Sequence, residues 1–311
     1  MITILFSAHE ALWPQYQHVL EAEFAKQRLE VNLIHDTDAP ETIDYLIYAP
    51  AQEEEDDDLS KFTNLRLIQS LWAGPDKLLK NPTLTQPMAR MVDPGMTQGM
   101  VDYVFGHIMR HHLKTDIFAQ ASTWLTDVAP PLPSERTVAF LGIGQLGMAC
   151  AVTTQEYGFN VIGWSRTLKQ GATITCFAGD DKLQEVVGQA DIIVTLMPAT
   201  PSTEKIISTD VIAAMKNGSS LINPGRGELI DDDALLAGLR SGKLSGATLD
   251  VFREEPLPQG HPYWKEPSVL VTPHIASETR VSTASVVVAE NIARDVRGEG
   301  ALYLIDPALK Y

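Results

Sequence analysis

The sequence predicts an α/β chain made of two doubly wound parallel-sheet domains. Three observations predict it. Short apolar runs rich in Val, Ile and Leu recur along the chain and alternate with segments of helical spacing, as parallel strands covered on both faces require. A proline-rich stretch, VAPPLPSER at 128–136, separates these runs into two series and reads as a linker. The length, 311 residues, is enough for about two domains that each bury a core.

In the first series, ITILFSA (2–8) reads as a buried strand and LWPQYQHVLEAEFAKQ (12–27) has helical spacing. VNLIHD (31–36), DYLIYAP (44–50) and LRLIQS (65–70) are further runs of strand length. The acidic run EEEDDD (53–58) is linear, whereas a metal site needs converging side chains, so it reads as a solvated loop. Residues 94–125 read as one long helix or a pair of helices. There His107 and His111 share a helical face without a third ligand nearby, so no metal is expected; both read as interface or solvated histidines. The second series supplies strands at TVAFLGI, NVIGW, DIIVTLM, SSLINP, GATLDVF and SVLVTPH, with helical segments such as DDDALLAGLRSG (231–242) between them. A closing helix is expected over 279–300, and the last residues are expected to return to the first domain.

Composition excludes several function classes. A net charge of −16 argues against general nucleic-acid binding and against docking on anionic lipid. No apolar run approaches the ~20 residues that span a bilayer. Cys150 and Cys176 make no disulfide framework and read as inert small apolar residues. The N-terminus reads as a strand, not a signal peptide, and the expected location is the cytoplasm.

Gly142, Gly144 and Gly147 form G-x-G-x-x-G between a hydrophobic strand and a helix-compatible run. The first glycine permits a tight turn, the second lets the backbone approach a pyrophosphate, and the third allows close helix–strand packing. The helix opening at Gln145 and Leu146 would offer free N–H groups to phosphate. The pattern points to a Rossmann-like dinucleotide site. An Asp or Glu about 20 residues further on usually holds the NAD ribose. Here VIGWSRTLK (161–169) places Ser165, Arg166 and Lys169 instead. Serine does not repel a 2′-phosphate and can donate a hydrogen bond to it, and the two cations attract it, so NADP(H) is expected, with NAD(H) the weaker alternative.

Three later segments carry polar residues at the carboxyl ends of strands: Arg226 in LINPGRGELID, Glu254 and Glu255 in LDVFREEPLP, and His274 in VLVTPHIAS. Ligands of open α/β sheets bind at those ends. The set suits reduction of a 2-oxo acid. Arg226 would bind the carboxylate and polarise the ketone, and His274 would supply the proton. Glu255 is the carboxylate chosen to orient the imidazole and raise its pKa.

These stretches resemble the D-2-hydroxyacid dehydrogenases, on FLGIGQLG, LINPGRGELIDDDALLAGLRSGKLSGATLDVFREEPLP and VTPHIAS, and the likeness covers nearly the whole chain. The resemblance implies the Arg226–Glu255–His274 trio, since the family's acid immediately precedes the Pro of EPLP. It implies a discontinuous substrate domain (1–97 and 279–311), an inserted NADP-binding domain (98–278) and an active site in the cleft between them. A homodimer is the expected state. It also places Pro198 at the cofactor and Asp250 at the nicotinamide carboxamide. Within the family, GWSRTLK, SLWAGPDKLL, REEPLP and DPGMTQGM are most similar to bacterial glyoxylate/hydroxypyruvate reductases of type A, which typically prefer NADPH. In QSLWAGPDKLL, Ala73 and Gly74 match small residues whose backbone holds the substrate carboxylate. Trp72 stands where most of the wider family has glycine; it either caps a small pocket or packs between domains. Tyr48 is a further candidate for the pocket lining. Two rivals stay open. One is an NAD-dependent dehydrogenase of another D-2-hydroxy acid, such as D-lactate or 3-phosphoglycerate, although a phosphorylated substrate would need more cations. The other is a nucleotide-sensing corepressor-like binding protein, which would usually carry long disordered extensions.

Overall fold

The structure is a computed structural model and describes residues 1–49, 58–74, 78–126, 128–168 and 173–305. The chain divides into two compact units, Met1–Thr97 with Glu278–Tyr311, and Gln98–Ser277. The proline-rich stretch at 128–136 therefore lies inside the second unit and is not the boundary, which falls within a helix.

The first unit holds β1 (Ile2–Ala8), α1 (Trp13–Lys26), β2 (Val31–Ile34), β3 (Tyr45–Ala49), β4 (Leu67–Ser70) and β5 (Met88–Ala89). Its strands are parallel, in the order β2-β1-β3-β4-β5. Alternate residues go to opposite faces. Ile4, Phe6, Tyr45 and Ile47 pack against Tyr16, Leu20 and Phe24 of α1 and against Val288 and Ile292 of the closing helix. Leu5, Leu46, Tyr48 and Ile68 form a second core with Leu59, Phe62 and Leu78. The last described residues return as expected: Leu304 bridges Ala89, and Ile305 N donates to the Met88 carbonyl at 2.8 Å. β5 has only two residues, too few to show any period in the sequence.

The boundary helix is α2 (Pro94–Leu113). Asp93 starts it, accepting from Gly95 N at 2.9 Å and Met96 N at 3.2 Å. Of the two expected forms, one long helix or a pair, the chain takes the pair: Lys114, in the left-handed region at φ 54°, separates α2 from α3 (Thr115–Gln120). The second unit continues with β6 (Thr137–Leu141), α4 (Gln145–Tyr157), β7 (Asn160–Ser165), β8 (Thr175–Ala178), α5 (Leu183–Val187), β9 (Ile192–Thr195), α6 (Thr209–Ala214), β10 (Ser219–Asn223), α7 (Asp232–Arg240), β11 (Leu244–Leu249) and β12 (Val269–Val271). The closing helix of the first unit is α8 (Val281–Val296).

The second sheet is parallel throughout, in the order β12-β11-β10-β9-β6-β7-β8. Chain progression reverses between β6 and β9, the topological switch point at which such sheets bind ligands. Val138 and Phe140 face α2 and α4, while Ala139 and Leu141 face α5, α6 and α7, so both sides of each central strand are apolar. β8 escaped the sequence reading because it is a short, half-exposed edge strand. Among the described residues no helix is long and apolar enough to cross a membrane.

Candidate active site

β6 runs into the glycine turn at the switch point. Gly142 has φ +105°, and a Cβ there would lie 2.3 Å from the Leu196 carbonyl oxygen. A Cβ on Gly147 would lie 2.0 Å from the Gly142 carbonyl oxygen, so α4 packs against the turn at glycine distance. Gly144 differs: a Cβ there would meet nothing within 4 Å. That open backbone, with no side chain capping α4, leaves the first-turn N–H groups at Gln145 and Leu146 without an intrahelical acceptor. The cradle fits a pyrophosphate by its shape and by its donors.

β7 ends beside it. Trp164 is core, its Nε1 donating to the Gly179 carbonyl at 2.9 Å. Ser165 is buried, and its hydroxyl donates to the Thr167 carbonyl at 2.7 Å. In this arrangement it shapes the turn; to donate to a phosphate it must rotate. Arg166 is exposed at the turn, and Lys169 lies outside the described residues, as do residues 53–57 of the acidic run. Pro198, after β9, is half-buried, and its carbonyl accepts from Thr203 Oγ1 at 2.7 Å.

The loop after β10 is organised by Asn223, which is fully buried. Its Oδ1 accepts from Thr195 Oγ1 at 2.7 Å and Gly225 N at 3.2 Å, and its Nδ2 donates to the Arg226 carbonyl at 2.9 Å. Arg226 Nη1 donates to the Gly225 carbonyl at 2.8 Å. A Cβ on Gly227 would lie 2.1 Å from the Phe252 carbonyl carbon, so this loop sits directly on the one that carries Glu255.

Glu255 uses both oxygens. Oε1 accepts from Phe252 N at 2.8 Å, and Oε2 lies 2.8 Å from His274 Nδ1. The first contact fixes the carboxylate, and the second sets the imidazole with Nδ1–H toward Glu255, leaving Nε2 to the outside. The His274 side chain keeps 54% of its accessible surface. Its pKa is raised, chiefly by the Glu255 hydrogen bond and against the opposing effect of burial; the charges of Glu255 and Asp250 raise it further, and that of Arg226 lowers it. The structure thus pairs Glu255 with His274 directly and brings Arg226 close enough for its charge to be felt.

The sequence profile of the D-isomer specific 2-hydroxyacid dehydrogenases, NAD binding domain, matches residues 104–276. The chain belongs to that family. The dehydrogenase is 34% identical over 276 residues to glyoxylate/hydroxypyruvate reductase A of Yersinia enterocolitica and to that of Serratia proteamaculans, covering 86% of this chain and 87% of each relative. A D-isomer specific 2-hydroxyacid dehydrogenase of Xanthobacter autotrophicus, solved with NADPH and MES, superposes with TM-score 0.88 at 33% identity over 99% of both chains. An NADPH-dependent glyoxylate/hydroxypyruvate reductase of Sinorhizobium meliloti, solved with NADP and sulfate, superposes with TM-score 0.87 at 28% identity over 100% of both.

The structure places the remaining predicted residues of the dehydrogenase as follows. Asp250, expected at the nicotinamide carboxamide, is 0% exposed, and its carboxylate already accepts three hydrogen bonds from residues 272–276. Tyr48 is buried in the second core of the first unit and lines a cavity there with Ser7, His35 and Lys61. Trp72 is half-buried, and it packs against both cores of that unit. Its backbone N–H donates to Ser70 Oγ at 2.9 Å, and its carbonyl accepts from Met91 N at 2.9 Å. Ala73 joins the same packing, and Gly74 is half-exposed. His111 is not solvated: its Nε2 lies 2.9 Å from Thr248 Oγ1, and burial pushes its pKa down to about 3. Among the described residues no group of His, Cys, Asp or Glu is placed to hold a metal. Cys150 is buried, its thiol pushed up to about 12, and is inert at neutral pH. Sequence reasoning missed Asn223; it stands in LINPGRG beside Arg226, and a polar residue at the end of a fully buried strand was the available signal.

Proposed function

We propose that this dehydrogenase reduces small 2-oxo acids with NADPH, converting glyoxylate to glycolate and hydroxypyruvate to D-glycerate. The observation that carries the reading is the 2.8 Å Glu255–His274 contact beside the charge of Arg226. The names of the reductases to which the chain is similar support the substrate class, and the NADP-bound relatives support the cofactor. Gln98–Ser277 is the cofactor-binding unit in this reading. The protein works as a cytoplasmic homodimer.

The residues divide the work. The N–H groups opening α4 and the bare backbone of Gly144 hold the pyrophosphate. Arg166, with Lys169, holds the 2′-phosphate through charge-assisted bonds. When bound, the reduced nicotinamide supplies a hydride to the ketone carbon. Arg226 pairs with the substrate carboxylate and stabilises negative charge growing on the ketone oxygen. His274 holds its acidic proton on Nε2 and delivers it to that oxygen, while Glu255 stabilises the imidazolium before transfer.

The test is NADPH oxidation with glyoxylate, hydroxypyruvate and pyruvate, followed by absorbance. Turnover fastest with the first two is expected. No oxidation with any 2-oxo acid removes the reading and favours a nucleotide-sensing role.

A further inference from the structure

We propose that Tyr103, on α2, is a positioning residue for His274, acting through Thr272 and the buried carboxylate of Asp250. The proposal rests on the reading of His274 as the proton donor. It starts from Asp250, a fully buried carboxylate at the end of β11 that the proton-transfer chemistry does not use. A buried carboxylate needs several donors, and all three it has come from one short segment. Thr272 Oγ1 donates to Oδ1 at 2.6 Å, Ile275 N donates to Oδ1 at 2.9 Å, and Ala276 N donates to Oδ2 at 2.8 Å. His274 N closes the wrap on the Asp250 carbonyl at 2.8 Å.

His274 sits in the middle of this wrap, in the left-handed region at φ 54°. A non-glycine residue stays there when its surroundings over-determine it. The four hydrogen bonds to Asp250 do so, and the imidazole then meets Glu255 at 2.8 Å.

The wrap is tied at one more point. Thr272 Oγ1 lies 2.7 Å from Tyr103 Oη. A carboxylate only accepts, so the Thr272 proton is committed to Asp250, and the Tyr103 hydroxyl must donate to Thr272. The result is a directed chain, phenol to alcohol to carboxylate, in which each bond polarises the next. The ring of Tyr103 is held in turn by His107, edge-on with centroids 4.4 Å apart. Burial raises the Tyr103 pKa above its usual value, so it remains a donor throughout the working pH range. The residues that tie the wrap are 169 positions apart in sequence, so no local signal links them.

The consequence is electrostatic. The charged groups that act on His274 are Glu255, Asp250 and Arg226. The Glu255 contact depends on where the loop holds His274, so a slackened wrap lengthens it. His274 then loses the largest influence raising its pKa, and its titration moves down toward the ordinary imidazole value.

The experiment is an NMR titration of the His274 ring in the whole protein, its resonance assigned by its loss in His274→Gln. The variants are Tyr103→Phe, which removes only the hydroxyl, Thr272→Val, which removes the relay, and Thr272→Ser, which keeps it. The expected result is a lower His274 midpoint in Tyr103→Phe and Thr272→Val and a wild-type midpoint in Thr272→Ser. kcat/KM should fall about fivefold in the first two with KM for NADPH unchanged. A wild-type midpoint in folded Tyr103→Phe overturns the proposal. If Tyr103→Phe does not fold, equal midpoints in Thr272→Val and Thr272→Ser overturn it. Absence of 2-oxo acid turnover in the wild type would count against the proposed function alone, since the titration is read without substrate.

Discussion

After β12, residues 272–276 wrap Asp250 with four hydrogen bonds, three to its buried carboxylate and one to its backbone carbonyl, and His274 is held at their centre. After β7, residues 165–168 lie around the Ser165 hydroxyl, with Arg166, Thr167 and Leu168 exposed. Both loops end strands of one parallel sheet, yet one wraps a fully buried carboxylate and the other presents three exposed side chains. The difference follows the tasks proposed for them. A proton donor must sit within a fraction of an ångström of its target and keep a raised pKa, which requires preorganised neighbours. A 2′-phosphate carries charge that long cationic side chains can meet over a wider range of positions. Substitutions in the first loop should therefore damage chemistry whatever the cofactor, and substitutions in the second should change cofactor choice and leave chemistry alone.

The largest effect is expected at the tied loop. His274→Gln should lower kcat/KM for glyoxylate about 10³–10⁴-fold, while NADPH binding, read by fluorescence titration, stays at its wild-type value. Near-normal turnover would show that the wrap holds no acid. Next comes Arg226→Ala, with kcat/KM down about 10²–10³-fold through a raised KM and a lowered kcat together. A change confined to KM would mean that Arg226 binds the carboxylate without acting on the ketone. Arg166→Asp, in the open turn, should raise KM for NADPH by about 10–100-fold and leave kcat and NADH kinetics unchanged. Equal NADPH kinetics in this variant and the wild type would reduce the turn to a solvated one and erase the comparison.

The same contrast explains what was legible in the sequence. Gly142, Gly144 and Gly147 announce themselves because each is required by its own neighbourhood: a positive φ, an open backbone and a close approach. Arg226, Glu255 and His274 were legible because each follows a short apolar strand, and sheet topology brings such ends together. What stayed hidden is what holds them. The duty of Asp250 is invisible in LDVF because its partners, the Thr272 hydroxyl and two backbone N–H groups, lie 22 to 26 residues further on. Tyr103 stands on a helix read only for its histidines, and its partner lies across the second unit. Likewise the Ser165 hydroxyl, which sequence reasoning gave to phosphate, is used by the turn itself.

The central claim is that the Glu255–His274 pair donates the proton, and the pH dependence of kcat/KM for NADPH-dependent glyoxylate reduction tests it most directly. Because Glu255 raises the His274 pKa, the imidazolium is fully present below its ordinary titration range and is lost as pH rises through the raised value; its contribution to stability follows the same course. The wild-type profile should be flat at low pH and fall above that raised pKa. In Glu255→Gln the neutral amide no longer favours the imidazolium, so the falling limb should move to lower pH and the rate at neutral pH should drop about tenfold. A limb that stays in place in Glu255→Gln would contradict the assignment.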